Sequence, residues 1–188
     1  MKLRYAIIKT ALVYCALSVT FSFVGIFLAE KGHLQSPVGY LSIHEVGGHV
    51  MWGLVAGAAC LSLRYFILTG LFAILIDSDH LIGLLHVDAL SRMSHSIAFG
   101  MVSVVVLMIL FGKKDYRLGA AAIAGLLSHL SFDTFSENDS EFPIFAPFYN
   151  HQIIFTNMDW IYFEIAAIAV VGIIAILTRI KESKKLVV

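Results

Sequence analysis

Charged residues are scarce in this sequence, since Asp, Glu, Lys and Arg together make up 14% of its 188 residues and their formal charges cancel. So sparse and balanced a set excludes a nucleic-acid partner, whose binding needs a basic surface. Cysteine is rarer still, and both Cys15 and Cys60 lie inside apolar runs. We expect them to be small core residues rather than a disulfide or a metal-binding pair.

Apolar residues dominate instead, at 59% of the chain, and the mean hydropathy is +0.87. This composition predicts an integral membrane protein. The apolar residues form six runs, at about 5–29, 46–62, 65–76, 96–111, 118–132 and 160–180. We therefore predict an all-α, polytopic bundle of about six transmembrane helices.

The six runs are predicted to form a single membrane-embedded domain, residues 1–188. Residues 1–30 would be an uncleaved anchor helix, because the apolar stretch is too long for a signal peptide. Residues 44–148 would form the core, and residues 158–181 the last transmembrane helix. The third run rises only about 18 Å against a hydrocarbon core of about 30 Å, so it should begin deeper in the second run or end inside the bilayer.

Basic residues indicate the orientation of the bundle. With the N-terminus in the cytoplasm and six crossings, most basic residues fall inside, which is the bias expected of a plasma or inner membrane protein with both termini cytoplasmic. These are Lys2, Arg4, Lys9, Arg64, Lys113, Lys114, Arg117, Arg179, Lys181, Lys184 and Lys185, whereas Lys31 and Arg92 fall outside. The histidines all map to the outer half: His33, His44, His49, His80, His86, His95, His129 and His151.

Two polar motifs interrupt the apolar runs near their outer ends. In "GLLSHLSFD", His129 and Asp133 are four residues apart and share one helix face, so both can reach one cation. The alternative is a helix-capping aspartate beside a hydrogen-bonded histidine. In "LIDSDH", Asp77, Asp79 and His80 offer ligands for a divalent ion. The alternative there is a helix N-cap.

Two further histidine motifs lie at the same predicted end. In "SRMSHS", His95 opens the fourth run, and Arg92 could hold an anionic substrate group or a lipid headgroup. The stretch "HEVGGH" resembles the zinc-protease motif H-E-x-x-H, but His44 and His49 are five residues apart. Their rings would therefore point some 140° apart on a helix, which argues against Glu45 as a protease base. His49 remains a candidate ligand at the start of the second run.

Four segments thus bring histidines and carboxylates to one end of the predicted bundle. We expect a divalent metal ion there, because a bound cation activates water and polarises a phosphoryl or carbonyl oxygen. The expected ligands are His49, Asp77, Asp79, His80, His95, His129 and Asp133, with Glu164, one turn into the sixth run, as an extra ligand or supporting partner. Asp79 or Asp133 could instead act as the catalytic base, with Arg92 on the substrate.

The ordered motifs resemble the YdjM-like family, described as LexA-regulated, inner-membrane, metal-dependent hydrolases. The matching stretches are His49 to Gly53, Asp77 to His80, Ser94 to Ser96, and Gly125 to Asp133 with the loop to Pro147. The family commonly has a His-Arg pair shortly before the third motif, whereas here that histidine is absent and Arg92 is displaced. The resemblance, with its distant similarity to the zinc-dependent phospholipase C and nuclease fold, implies a helical metal site, zinc above all, acting on a phosphoester.

The expected function is therefore hydrolysis of a lipid or lipid-linked phosphoester at the extracytoplasmic face, with membrane lipids as partners. One alternative is an intramembrane metalloprotease that uses His44, Glu45 and His49. Another is a protein that binds or transports metal without hydrolysing anything; its ligands should line a path through the bilayer.

Overall fold

The computed structural model describes residues 2–28, 42–86, 89–137 and 139–186. Within these ranges each of the six apolar runs forms an α-helix. The helices are α1 (Lys2–Ser22), α2 (Ile43–Ala58), α3 (Leu63–Leu75), α4 (Ile97–Phe111), α5 (Tyr116–Ser136) and α6 (Trp160–Leu186). Short 3₁₀ helices span Phe23–Phe27, Ile76–Leu85, Met93–His95 and Asn157–Asp159.

Four helical segments are long and apolar enough to cross a membrane, so the protein is a helical membrane protein. They are Leu3–Phe27, Leu63–Leu85, Tyr116–Ser136 and Asn157–Lys184. The α2 and α4 helices, with 16 and 15 residues, rise only roughly 23 Å each. Length alone therefore supports four of the six predicted crossings.

The α5 helix occupies the centre of the bundle. Of its most apolar 18-residue window, 83% is buried, against 22% for α6. Its small residues explain this position, since they allow neighbouring helices to approach closely. A Cβ atom at Gly125 would lie 2.5 Å from the Cβ of Phe72 on α3. Phe72 in turn stacks on Tyr14 of α1, with ring centroids 4.3 Å apart, so α1, α3 and α5 share one core.

The third run is longer than the sequence indicated. It neither begins in the second run nor stops at residue 76, because the chain continues from α3 into the 3₁₀ helix Ile76–Leu85. Together they form a candidate span of 23 residues. The polar residues of "IDSDH" concealed this extension, because they broke the apolar run from which the span was predicted.

The all-α prediction is wrong for one short region. Residues Asp139–Phe142 (β1) and Ile153–Thr156 (β2) pair as an antiparallel two-stranded sheet, with Ser140 opposite Phe155. Ser140 and Phe142 point inward and are fully buried, as the two-residue alternation of a strand requires. The ring of Phe142 stacks on His95, with centroids 5.7 Å apart, so the sheet packs against the predicted metal-binding end.

Candidate metal centre

Four separate segments bring their polar side chains together at one end of the bundle. They are the first half of α2, the 3₁₀ helix after α3, the 3₁₀ turn before α4, and the last two turns of α5. Three groups have ligand atoms within 4.8 Å of one another: His49, His129 and Asp133; Asp77, His95 and His129; and Asp77, Asp79 and His80. All seven metal ligands predicted from these four segments are therefore brought together.

His129 is fixed by a backbone hydrogen bond. Its Nδ1 atom donates to the carbonyl oxygen of Ala73 on α3 over 2.7 Å, which leaves the Nε2 lone pair facing the cluster. Nε2 lies 3.4 Å from Oδ1 of Asp77 and 3.4 Å from Oδ2 of Asp133. The four-residue spacing of His129 and Asp133 thus places both on one face of α5, as predicted.

Asp77 belongs to two of the three groups, and it lies on a 3₁₀ helix rather than an α-helix. Side chains three residues apart eclipse one another in a 3₁₀ helix, and Asp77 Oδ1 lies 3.5 Å from Nε2 of His80. The same carboxylate reaches His129, and its Oδ2 atom lies 3.5 Å from Nε2 of His49. A single aspartate therefore contacts histidines from α2, α5 and its own segment.

Asp79 orients His95. The Ser94 hydroxyl donates to Oδ2 of Asp79 over 2.6 Å, and the same oxygen lies 3.5 Å from Nδ1 of His95. A carboxylate at Nδ1 directs the opposite nitrogen, Nε2, toward the cluster, where it lies 2.8 Å from Nε2 of His129. Burial lowers the pKa of His95 below its ordinary value, which favours the neutral ring that a metal ligand requires.

His49 joins the cluster and His44 does not. Nε2 of His49 lies 3.2 Å from Oδ1 of Asp133, and its ring stacks on His129 with centroids 4.0 Å apart. The side chain of His44 is 75% exposed. The five-residue spacing therefore separates the two rings, as the helical geometry predicted.

Glu45 is a site residue that the sequence reasoning did not assign to the metal centre. Its Oε2 atom lies 3.8 Å from Nε2 of His49, and its side chain is 36% exposed, so it stands at the rim of the cluster. The signal was available, because Glu45 and His49 have the same four-residue spacing as His129 and Asp133. The comparison with the zinc-protease motif drew attention to His44 instead.

Arg92 borders the cluster on the side of the β-sheet. Its Nη1 atom lies 3.9 Å from Oδ2 of Asp133, its Nη2 donates to Glu137 over 3.2 Å, and its guanidinium lies over the Phe142 ring. Although burial lowers the pKa of Arg92, the carboxylates of Asp133 and Glu137 raise it above its ordinary value. Arg92 therefore supplies a permanent positive charge next to the ligands.

Glu164 belongs to none of the three ligand groups among the described residues. It is 7% exposed on α6, where the hydroxyls of Ser128 and Ser131 on α5 are its polar neighbours. Neither carboxylate oxygen has a hydrogen-bond partner within the described chain. His86 and His151 also lie outside the groups, and His33 lies outside the described residues.

The donor set fits a divalent cation. At most one proton can lie between the Nε2 atoms of His95 and His129 at 2.8 Å, and three imidazoles with two carboxylates match the ligands that such ions prefer. Oδ1 of Asp79 and Nδ1 of His49 are buried without a hydrogen-bond partner in the described chain. So dense a set of buried polar groups is costly unless a bound ion or proton compensates it. The cluster can hold a metal ion.

Searches of curated proteins and of solved structures return no match. The sequence model of the YdjM inner membrane protein family matches residues 41–188. The match contains all four polar segments of the metal centre and five of the six α-helices. Because it covers well over half of the chain, and because the apolar helices agree with an inner-membrane location, the protein belongs to the YdjM inner membrane protein family.

Proposed function

We propose that this protein is a membrane-bound, metal-dependent hydrolase that cleaves a phosphoester of a lipid or lipid-linked substrate at the extracytoplasmic face. One observation carries the proposal: four distant segments contribute imidazoles and carboxylates to three overlapping groups, and within each group the ligand atoms lie within 4.8 Å of one another. Ionisable groups in a membrane bundle are costly and mark functional sites. No packing requirement of the helices explains so many of them at one place.

The imidazoles of His49, His95 and His129 would bind the ion through Nε2, with carboxylate oxygens of Asp77 and Asp133 as the remaining ligands. Zinc is the favoured ion, because imidazole and carboxylate ligands in small number suit it. When bound, such an ion polarises a phosphoryl oxygen and makes water a stronger nucleophile at neutral pH. His80 can add a ligand beside Asp77, whereas Asp79 orients His95.

Arg92 is assigned to the substrate. Its guanidinium is held by Glu137, whose side chain is 43% exposed. A phosphate oxygen can replace that carboxylate, because guanidinium groups bind phosphate through paired hydrogen bonds. Arg92 would then orient the phosphoester next to the ligands and balance its negative charge.

The base is assigned to Glu45 rather than to either of the predicted aspartates. Asp79 is held by Ser94 and His95, and Asp133 contacts His49, His95 and His129. Both therefore serve better as ligand or positioning groups. Glu45 stands at the exposed rim, where a carboxylate can accept a proton from water and release it to solvent.

A lipid substrate is favoured by the apolar surface beside the site. Around the β-sheet and the end of α5, the exposed side chains include Phe135, Phe145, Phe148, Tyr149, Ile154 and Met158. Exposed aromatic and aliphatic residues at a helix end suit the interface of a bilayer. The basic residues lie mostly at the other end of the helices, which supports six crossings, cytoplasmic termini and an extracytoplasmic site.

The test combines elemental analysis of the purified protein with hydrolysis of bis(p-nitrophenyl) phosphate. We expect bound divalent metal and phosphodiesterase activity, and both should be lost in the double variant His129→Ala, Asp133→Ala. The matched control is His86→Ala, which removes an exposed histidine outside the ligand groups. Activity and metal content that persist in the double variant would contradict the proposal.

A further inference from the structure

A second polar cavity lies at the opposite end of the helices from the metal centre. Its volume is about 340 Å³, and it is formed by the start of α3, the turn between α4 and α5, the start of α5 and the end of α6. The lining residues are Tyr65, Gly112, Lys114, Asp115, Tyr116, Arg117, Thr178 and Glu182. None of these residues takes part in the metal centre.

The carboxylate of Asp115 is already satisfied. Its Oδ1 atom accepts hydrogen bonds from the Tyr65 hydroxyl at 2.7 Å and from the backbone N–H of Leu118 at 3.1 Å. Its Oδ2 atom accepts from Nη1 of Arg64 at 3.2 Å. Because Asp115 is neutralised by Arg64 and caps α5, it does not cancel the positive charge of the other lining residues.

Cationic donors of the cavity remain available. Nε of Arg117 is buried without a hydrogen-bond partner in the described chain. Arg117 also faces Glu182 at 3.4 Å, but that glutamate is 64% exposed, so the pair is a weak surface contact. Lys114 adds a flexible, exposed ammonium group at the cavity wall.

Apolar residues border the same cavity. Leu63 lies two residues before the lining residue Tyr65, and Leu177 and Ile180 lie on the last turns of α6 close in sequence to Thr178 and Glu182. These three apolar side chains are 64%, 56% and 47% exposed. Helix ends that carry basic and aromatic groups above such a surface lie at the headgroup level of a bilayer. A ligand with a phosphate and acyl chains would satisfy both features.

We propose that this cavity binds the phosphate of an anionic phospholipid headgroup, with the acyl chains along α6. Basic pockets between transmembrane helices are suited to such headgroups, and charge-assisted hydrogen bonds from Arg117 would replace its contact with Glu182. The positive-inside bias is an alternative explanation for these basic residues, but exposed charges alone would satisfy it. It does not account for an open cavity lined by Arg117, whose Nε atom is buried without a partner in the described chain.

The experiment measures lipid binding to the purified full-length protein by native mass spectrometry. Titrations use dioleoylphosphatidylglycerol and, as the neutral comparison, dioleoylphosphatidylcholine. We expect tighter binding of the anionic lipid. Arg117→Gln and Lys114→Gln should each weaken it about tenfold, the loss of roughly one charge-assisted hydrogen bond. Circular dichroism of each variant verifies that the helices are intact, and Lys114, being exposed, can be replaced without disturbing the core.

Two control variants distinguish lipid binding in the cavity from nonspecific electrostatic attraction to the protein surface. Arg4→Gln removes one exposed positive charge near the start of α1, outside the cavity, and should leave the affinity unchanged. Glu182→Gln should preserve or strengthen binding, because it frees Arg117. Equal weakening by Arg4→Gln, or equal affinity for the two lipids, would overturn the proposal. Binding of inorganic phosphate alone as tight as that of the lipid would also overturn it and identify a soluble phosphate compound as the ligand.

Discussion

The Nε2 atoms of His95 and His129 lie 2.8 Å apart, although 34 residues separate them in the chain. Each ring is oriented from its other nitrogen: His129 by the carbonyl of Ala73 and His95 by the carboxylate of Asp79. Two imidazoles held with these nitrogens toward each other could share one cation. The rigid core of α3 and α5 maintains this arrangement.

Removal of metal is expected to destabilise the protein. An ion that binds only the folded state raises the unfolding midpoint in proportion to the logarithm of its concentration. A chelator such as EDTA should therefore lower the midpoint of the wild-type protein in a thermal-shift measurement, and added zinc should restore it. The variant His129→Ala, Asp133→Ala should melt at one temperature with or without chelator. If the metal-containing wild-type protein has the same unfolding midpoint with and without EDTA, this expectation is wrong.

Removal of the carboxylate that orients His95 should weaken metal binding without abolishing it. In Asp79→Asn, His95 keeps its place but loses the partner of its Nδ1 atom, and such outer partners contribute about 10- to 100-fold to metal affinity. Ser94→Ala, which removes a 2.6 Å hydrogen bond to Asp79, should produce a smaller loss in the same direction. Zinc affinity can be measured by competition with a fluorescent chelator. The control is Ser91→Ala, whose hydroxyl contacts Gln152 instead.

Replacement of Glu45 should separate catalysis from metal binding. If Glu45 accepts the proton of the attacking water, Glu45→Gln should lower phosphodiesterase turnover by about 10²- to 10⁴-fold, while elemental analysis finds unchanged metal. His86→Gln replaces an exposed histidine outside the ligand groups and should leave turnover intact. Full activity in Glu45→Gln would return the role of base to Asp79 or Asp133. Loss of metal would make Glu45 a ligand.

Replacement of Glu164 tests whether this buried carboxylate is a metal ligand. The sequence indicated that Glu164 could be an additional ligand, whereas its carboxylate lies outside the ligand groups of the described chain. Glu164→Leu should therefore leave the metal content unchanged. Its unfolding midpoint should be equal or higher, because an unpartnered buried carboxyl is replaced by an apolar side chain. A fall in the metal-to-protein ratio would restore Glu164 to the ligand set.

The helices and much of the site could be predicted because they depend on local patterns. Runs of apolar residues located all six helices, and four-residue spacing placed His129 and Asp133 on one face. Glu45 entered the sequence analysis only in the metalloprotease alternative with His44 and His49. Its four-residue spacing from His49, which brings Oε2 to 3.8 Å from Nε2 of that histidine, was not used there.

The features that could not be predicted depend on contacts between distant segments. Nothing local in "IDSDH" indicates a 3₁₀ path, yet that path places Asp77 beside His80. The β-sheet could not be predicted either, because the sequence of β1, "DSEF", is polar and rich in residues that are uncommon in strands. Ser140 can be buried there because its hydroxyl donates a hydrogen bond to the Asp133 carbonyl. Such elements are stable only through the tertiary packing around them.

Close approach of α3 and α5 should prove essential to the metal centre. In Gly125→Ala the new Cβ would lie 2.5 Å from Phe72 Cβ and 3.3 Å from the backbone nitrogen of Ala73, so the helices must separate. We expect a loss of about 1–3 kcal/mol in the free energy of unfolding. Metal affinity should also weaken, because Ala73 is the residue whose carbonyl holds His129. The control is Gly47→Ala on α2, where nothing lies within 4 Å of the added Cβ. Denaturant unfolding and zinc competition measure the two effects, and a Gly125→Ala protein as stable as Gly47→Ala would refute the coupling.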